Sequence, residues 1–140
     1  MSKANRINHM SDDLFVITRG GETEPLFPHA ASVSGGRQIY LSGQLSYAKD
    51  GSKVGVGDMR AQMRQVCDNL KLAVEEAGGE LKDIIKVTTY VTDMNEFFKC
   101  MDVRREYFGE AFPTSTTIEI SRLADPDMLI EIEAWAHVDS

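Results

Sequence analysis

The segment from Leu129 to Val138 (LIEIEAWAHV) constrains this fold more than any other, because its apolar and polar residues alternate almost without a break. A β-strand turns successive side chains to opposite faces. Ile130, Ile132, Ala134, Ala136 and Val138 therefore share one face, and Leu129, Glu131, Glu133, Trp135 and His137 share the other. The first face, small and β-branched, calls for a layer of helices to cover it. The second is too acidic for a monomer core, yet Trp135 and Leu129, with Tyr40 from another strand, sit badly in open water. Thr117 and Glu119 of a neighbouring strand are expected on this second face. A face mixed in this way fits an oligomer whose sheets pack around a partly polar interior. A solvated face with a few exposed apolar groups is the plainer alternative.

Two segments can supply the covering helices. From Asp58 to Ala77, the residues Met59, Met63, Val66, Cys67, Leu70, Val74 and Ala77 recur at three- and four-residue spacing and make one apolar stripe. Asp58 can cap its start, and Gly78-Gly79 can end it. Asp93 and Glu96 form a D-x-x-E start for a second helix, about Asn95 to Phe108, closed by Gly109 and Pro113. Strands are expected at Asp13–Thr18, Ala30–Ser34, Gln38–Ser42, Ile84–Thr92, Ser115–Ser121 and Leu129–Val138. The fold class is α+β, a mixed six-stranded sheet with two helices on one face. Residues 1–11 are expected to be a flexible segment, and 12–140 a single domain.

Charge narrows the function. Lys and Arg number 15 against 22 Asp and Glu, a formal net charge of −7. Such a surface repels phosphate backbones and anionic bilayers, so neither nucleic acid nor membrane is an expected partner. No apolar run approaches the ~20 residues that span a bilayer, and the first ten residues lack the apolar stretch of a signal peptide. Cys67 and Cys100 form no CxxC and suit reduced thiols in the cytoplasm. His9, His29 and His137 are scattered, so neither a metal nor another cofactor is expected. GxSxG, Walker and GxGxxG motifs are absent.

Three features can carry chemistry. His29 follows Pro28 and can be held as an acid or base, or it is an ordinary loop histidine. Ser42-Gly43-Gln44 ends a strand. Glycine there lets a ligand approach the backbone, or it marks a plain bulge. Glu131 and Glu133 share a strand face. Paired carboxylates in a partly apolar cleft can have raised pKa values and activate water, or they are simply solvated.

Taken together, several stretches resemble the RidA family of reactive-intermediate imine/enamine deaminases. They are Ile39-Tyr40-Leu41-Ser42-Gly43-Gln44, the Gln62 to Asp68-Asn69-Leu70 helix, Ala77-Gly78, Val87 to Asp93, Tyr107-Phe108, Phe112-Pro113 and Ile130 to Ala134. The match runs in order from about residue 28 to 138. The resemblance implies a homotrimer whose sheets form a central barrel, with ligand clefts between subunits. It also implies that Ser42 and Gly43 line the cleft and that Glu131 activates the hydrolytic water. His29 stands where a cleft tyrosine is common, and Thr117 where many members have cysteine. Ser115 departs from the pattern, because familiar imine deaminases carry there an arginine that grips a substrate carboxylate. This chain thus resembles a divergent subgroup, and its substrate is expected to differ from the usual short 2-imino acid. Arg104 is a candidate substitute for the missing charge. The expected activity is metal-free hydrolytic deamination of a small imine or enamine. The alternative is a non-catalytic trimer that binds a small metabolite.

Overall fold

The structure, a computed structural model, describes residues 2–16, 26–109 and 111–140. The strands are β1 (Asn5–His9), β2 (Ala30–Ser34), β3 (Arg37–Gln44), β4 (Ile84–Val91), β5 (Thr114–Glu119) and β6 (Ile130–Val138). The helices are α1 (Met59–Glu76), α2 (Met94–Phe98) and α3 (Met101–Phe108), with a single 3₁₀ turn at Leu81–Asp83. The α+β class and mixed sheet are as expected. The six strands, however, divide into an antiparallel β1–β2 pair and a four-stranded sheet in the order β3-β6-β4-β5. In that sheet β6 runs antiparallel to both neighbours, and β4 and β5 are parallel. Parallel strands need a long crossover between them, and α2 with α3 provides it for β4 and β5.

The first strand lies where no strand was expected. Residues 13–16 form a turn and irregular chain, and 17–18 of the expected strand fall outside the described residues. Asn5–His9, inside the segment expected to be flexible, instead pairs with Ser34 to Ala30. Its sequence, NRINH, shows no apolar period because the backbone ladder and one arginine hold it in place. The Arg6 guanidinium donates to the carbonyls of Ile84 (3.0 Å) and Phe112 (2.9 Å).

α1 follows its sequence closely. The Asp58 carboxylate accepts from Ala61 N–H at the start. At the end Gly78 takes φ +91°, which lets Gly78 N–H reach Glu75 O and Gly79 N–H reach Val74 O. The expected second helix is broken at Lys99-Cys100 into α2 and α3. A tertiary contact stabilises the break: Arg60 donates to the freed Lys99 carbonyl (2.8 Å) and to Asp102 (2.7 Å).

The core lies between these helices and one sheet face. Ile130, Ile132, Ala134, Ala136 and Val138 of β6 are all buried there, with Ile39, Leu41, Val87, Val91 and the α1 stripe. Gln62 is one of the polar side chains buried there. Its amide donates to Gly55 O (3.0 Å) and Asp127 O (2.9 Å), and its carbonyl accepts from Leu129 N–H (2.7 Å). This one side chain ties α1 to the loop before it and to the residue preceding β6. Gln62→Leu leaves three part-buried backbone groups without these partners and is expected to cost about 1–3 kcal/mol. Urea unfolding would read this as a lower midpoint at unchanged slope.

Register overturns one expectation. Thr117 of β5 pairs with Thr89 of β4, and Thr89 with Ile132, so Thr117 faces the helices and not the open face. Glu119 does the same and accepts from Met94 N–H of α2. Alternation alone reveals two faces but cannot tell which faces of separate strands coincide. On the open face β5 instead places Thr114, Thr116 and Ile118, opposite Lys86, Thr88 and Tyr90.

Candidate active site

The candidate site forms where β3 meets β6. Their ladder runs regularly to Leu41↔Ala134 and resumes at Gln44↔Ile132, so Ser42 and Gly43 occupy the space of one residue. This β-bulge brings the Gly43 backbone against the Glu131 side chain. A Cβ at position 43 would stand 2.8 Å from Glu131 Oε2 and 2.9 Å from its Cδ. Glycine here leaves room for the Glu131 side chain in this position and is not called for by an unusual φ. Beyond Gly43 a groove of about 870 Å³ is lined by Gln44, Leu45, Tyr47, Asn69 and Leu72, among others. The loop above it is pinned by Asn69, whose amide donates to Leu45 O and Tyr47 O (3.0 Å each), and by Tyr47 O–H on Asp125 (2.6 Å).

Glu131 is half-buried, and its carboxyl is pushed above the ordinary range, first by burial and then by the neighbouring Glu133 charge. Tyr90 stands opposite Glu131 in the ladder and donates its hydroxyl to Glu133 Oε1 at 3.2 Å. Tyr90 was not singled out in the sequence, although its parity with Lys86 and Thr88 on β4 could have placed it on this face. Lys86 Nζ lies 4.8 Å from the Trp135 ring centroid, and Tyr40 packs edge-on to Trp135 at 5.6 Å. Tyr40 is 70% exposed and Trp135 42%. The mixed face is therefore open in a single chain, with aromatic groups beside paired carboxylates.

The other candidates fall into two places. His29 sits just before β2, in the other sheet. Its Nδ1 accepts from Ser11 N–H (2.9 Å), and its Nε2 lies 3.2 Å from Phe15 O, so the ring clasps the 11–15 loop. Arg104 and Ser115 are brought together: Arg104 Nη2 donates to Ser115 Oγ at 3.0 Å. Thr117 lies two residues further along β5, on the same side. Among the described residues no three His, Cys, Asp or Glu side chains converge as metal ligands, and no helix is long and apolar enough to cross a membrane.

A family model described as endoribonuclease L-PSP matches residues 21–138. The chain belongs to the RidA family. A RutC family protein from Pyrococcus horikoshii is 40% identical over 122 residues, spanning 87% of this chain and 96% of that protein. A protein from Dermatophagoides farinae named 2-iminobutanoate/2-iminopropanoate deaminase is 30% identical, spanning 79% of this chain and 86% of its own. The crystal structure of the Rid-family protein YyfB from Yersinia pestis is 30% identical and covers 96% of this chain and 99% of its own, with a TM-score of 0.81. Membership in the RidA family makes a Rid-type imine deaminase or an endoribonuclease-like protein the class of function to consider.

Proposed function

We propose that this RidA-family chain is a hydrolytic deaminase of a small imine or enamine, working without a metal. It acts in clefts between the subunits of a homotrimer whose open sheet faces form a central barrel. The observation that carries this reading is the Glu131 carboxylate, raised in pKa and seated against the bare backbone of Gly43. A carboxylate poised above its ordinary range accepts a proton from water more readily at working pH. Water, losing a proton to Glu131, adds to the imine carbon and forms a carbinolamine. The proton passes to nitrogen, ammonia leaves, and a carbonyl compound remains. Ser42 and the Gly43 backbone face the ligand at the bulge. Both ring nitrogens of His29 already have partners, and we route no proton through it. The Dermatophagoides relative's name supports the reaction class. The serine at position 115 argues for a substrate other than the short 2-imino acids. The formal charge of −7 disfavours RNA as the substrate, and the two buried free cysteines suit a reducing cytoplasm.

Ammonia release decides the matter. The purified protein is given 2-iminopropanoate and 2-iminobutanoate generated in situ, then larger imines and enamines with an unsubstituted nitrogen, of the kind that aromatic or nitrogen-heterocycle breakdown yields, with an RNA substrate in parallel. Acceleration over spontaneous hydrolysis for at least one imine is expected, strongest for the larger ones. Failure with every imine, or RNA cleavage alone, would overturn the reading.

Glu133 also sets the pH dependence. Its negative charge favours protonated Glu131, so Glu133→Gln must lower the Glu131 pKa. The acidic limb of kcat/KM is then expected to move to lower pH. A limb that stays put or moves up means Glu131 is not the titrating base.

A further inference from the structure

α1 carries a second stripe besides the one in the core. Gln65, Asp68, Asn69, Leu72 and Glu75 recur at three- and four-residue spacing, and all five line the groove that opens beyond Gly43. The other wall is the chain leaving β3, which contributes Leu45, Tyr47 and Ala48. Leu72 is 64% exposed. A lone exposed leucine is ordinary on a protein surface. Here, however, it shares one groove with three other apolar side chains, and that groove starts at the bulge. Gly43 belongs to both places: it lines the groove, and a Cβ there would meet the Glu131 side chain. A ligand whose reacting carbon lies at Glu131 therefore has the groove directly beside it.

Size and chemistry narrow what fits. The groove volume of about 870 Å³ is in the range of pockets for drug-sized ligands, roughly 300–1,000 Å³. At 1.5 Å per residue, the α1 wall from Gln65 to Glu75 is on the order of 15 Å long. A short 2-imino acid at Glu131 leaves nearly all of this empty. Nor does the groove offer much to a polar tail, because its polar side chains are engaged. Asn69 donates to Leu45 O and Tyr47 O, and its own carbonyl accepts from Gln65 at 2.9 Å. The Gln44 amide folds back on Ser42 O at 3.2 Å. Tyr47 gives its hydroxyl proton to Asp125, and Asp68 accepts from Tyr107 O–H at 2.6 Å. Lys49 and Lys71 on the rim are balanced by Asp68 and Glu75, so the local field favours neither sign of charge. What is left to contact a ligand is apolar surface.

We infer that the groove between α1 and the chain after β3 receives an elongated, uncharged apolar substituent of the substrate, and that Leu72 selects for the length of that substituent. The inference deepens the deaminase reading and rests on it for where the reacting carbon lies. It makes the substrate an imine or enamine with a hydrocarbon or aromatic tail. Leu72 touches the tail and not the reacting atoms. Each methylene laid along the groove leaves water together with part of Leu72, so affinity rises with tail length and no hydrogen bond to the tail is needed.

The test uses stable ketones that stand for the reaction product, 2-butanone, 2-hexanone and 2-octanone, titrated by NMR into the full chain. Wild type is expected to bind 2-octanone roughly tenfold or more tightly than 2-butanone. Leucine and glutamine have nearly equal helix propensity and position 72 is exposed, so Leu72→Gln should fold as wild type does. That variant should weaken 2-octanone at least about fivefold more than it weakens 2-butanone. Equal affinity along the series in wild type, or the same rise in Leu72→Gln, would overturn the inference. So would a change in the sedimentation of Leu72→Gln, which would assign the groove to a second copy of this chain. Ammonia release in the separate assay, alongside a flat series here, would leave the deaminase reading standing and remove only this one. A rise that depends on Leu72, in a protein that releases no ammonia, would keep the groove as the site of the ligand's tail and remove the deaminase reading.

Discussion

Glu131→Gln is expected to slow imine hydrolysis by about 10²–10⁴-fold, the usual contribution of a positioned general base. The amide has nearly the same shape as the carboxylate, so it should still fit against Gly43 and leave the ladder of β6 with β3 and β4 unchanged. What it loses is the ability to take a proton from water. Removing a half-buried charge beside Glu133 also relieves a repulsion, so the folded state should be as stable as wild type or slightly more so. The diagnostic result is therefore lost turnover in a protein with an unlowered thermal midpoint and intact assembly. Turnover at the wild-type rate would remove Glu131 from the chemistry.

Gly43→Ala is expected to produce a similar separation of stability from activity by another route. Gly43 does not occupy the left-handed region, so alanine is no strain on the backbone. The added methyl would meet the tip of Glu131 at 2.8 Å. That tip belongs to a flexible side chain and can swing aside at small cost to folding. It cannot swing aside and stay in place for catalysis. A displacement of about 1 Å at a reacting group costs on the order of 10²-fold in rate, and that is the loss expected here. The pH profile adds a second readout: a displaced Glu131 leaves the environment that raises its pKa, so any residual activity should show an acidic limb nearer the ordinary carboxylate range. Full activity in Gly43→Ala would mean that the close approach has no part in the mechanism.

Much of this was legible in the chain because the signals were local. The α1 stripe, the Asp58 cap and the Gly78-Gly79 end all lie within one stretch of sequence, and each appears where spacing put it. The alternation of β6 likewise separated Ile130, Ile132, Ala134, Ala136 and Val138 from Glu131 and Glu133, and the burial follows that division. Where pattern failed, the cause was long-range. β1 is polar throughout and is held by pairing with β2 and by carbonyls near β4 and β5, none of which is visible from NRINH alone. The break between α2 and α3 depends on Arg60, some 40 positions earlier. Thr117 changed faces because its parity is set by the register of β5 on β4.

The same division holds for the site. By itself the sequence determined which residues share a strand or helix face, that Glu131 and Glu133 stand together, and that the backbone is bare at Gly43, because these follow from periods of two and 3.6 residues. Only the tertiary structure decided that Gly43 lies against Glu131, that Tyr90 reaches Glu133, and that Arg104 on a helix stands behind Ser115 on a strand. Those contacts arise from a bulge, a register and a helix packed over an edge strand. Each is a relation between segments distant along the chain or set apart by their elements, and no local period encodes it.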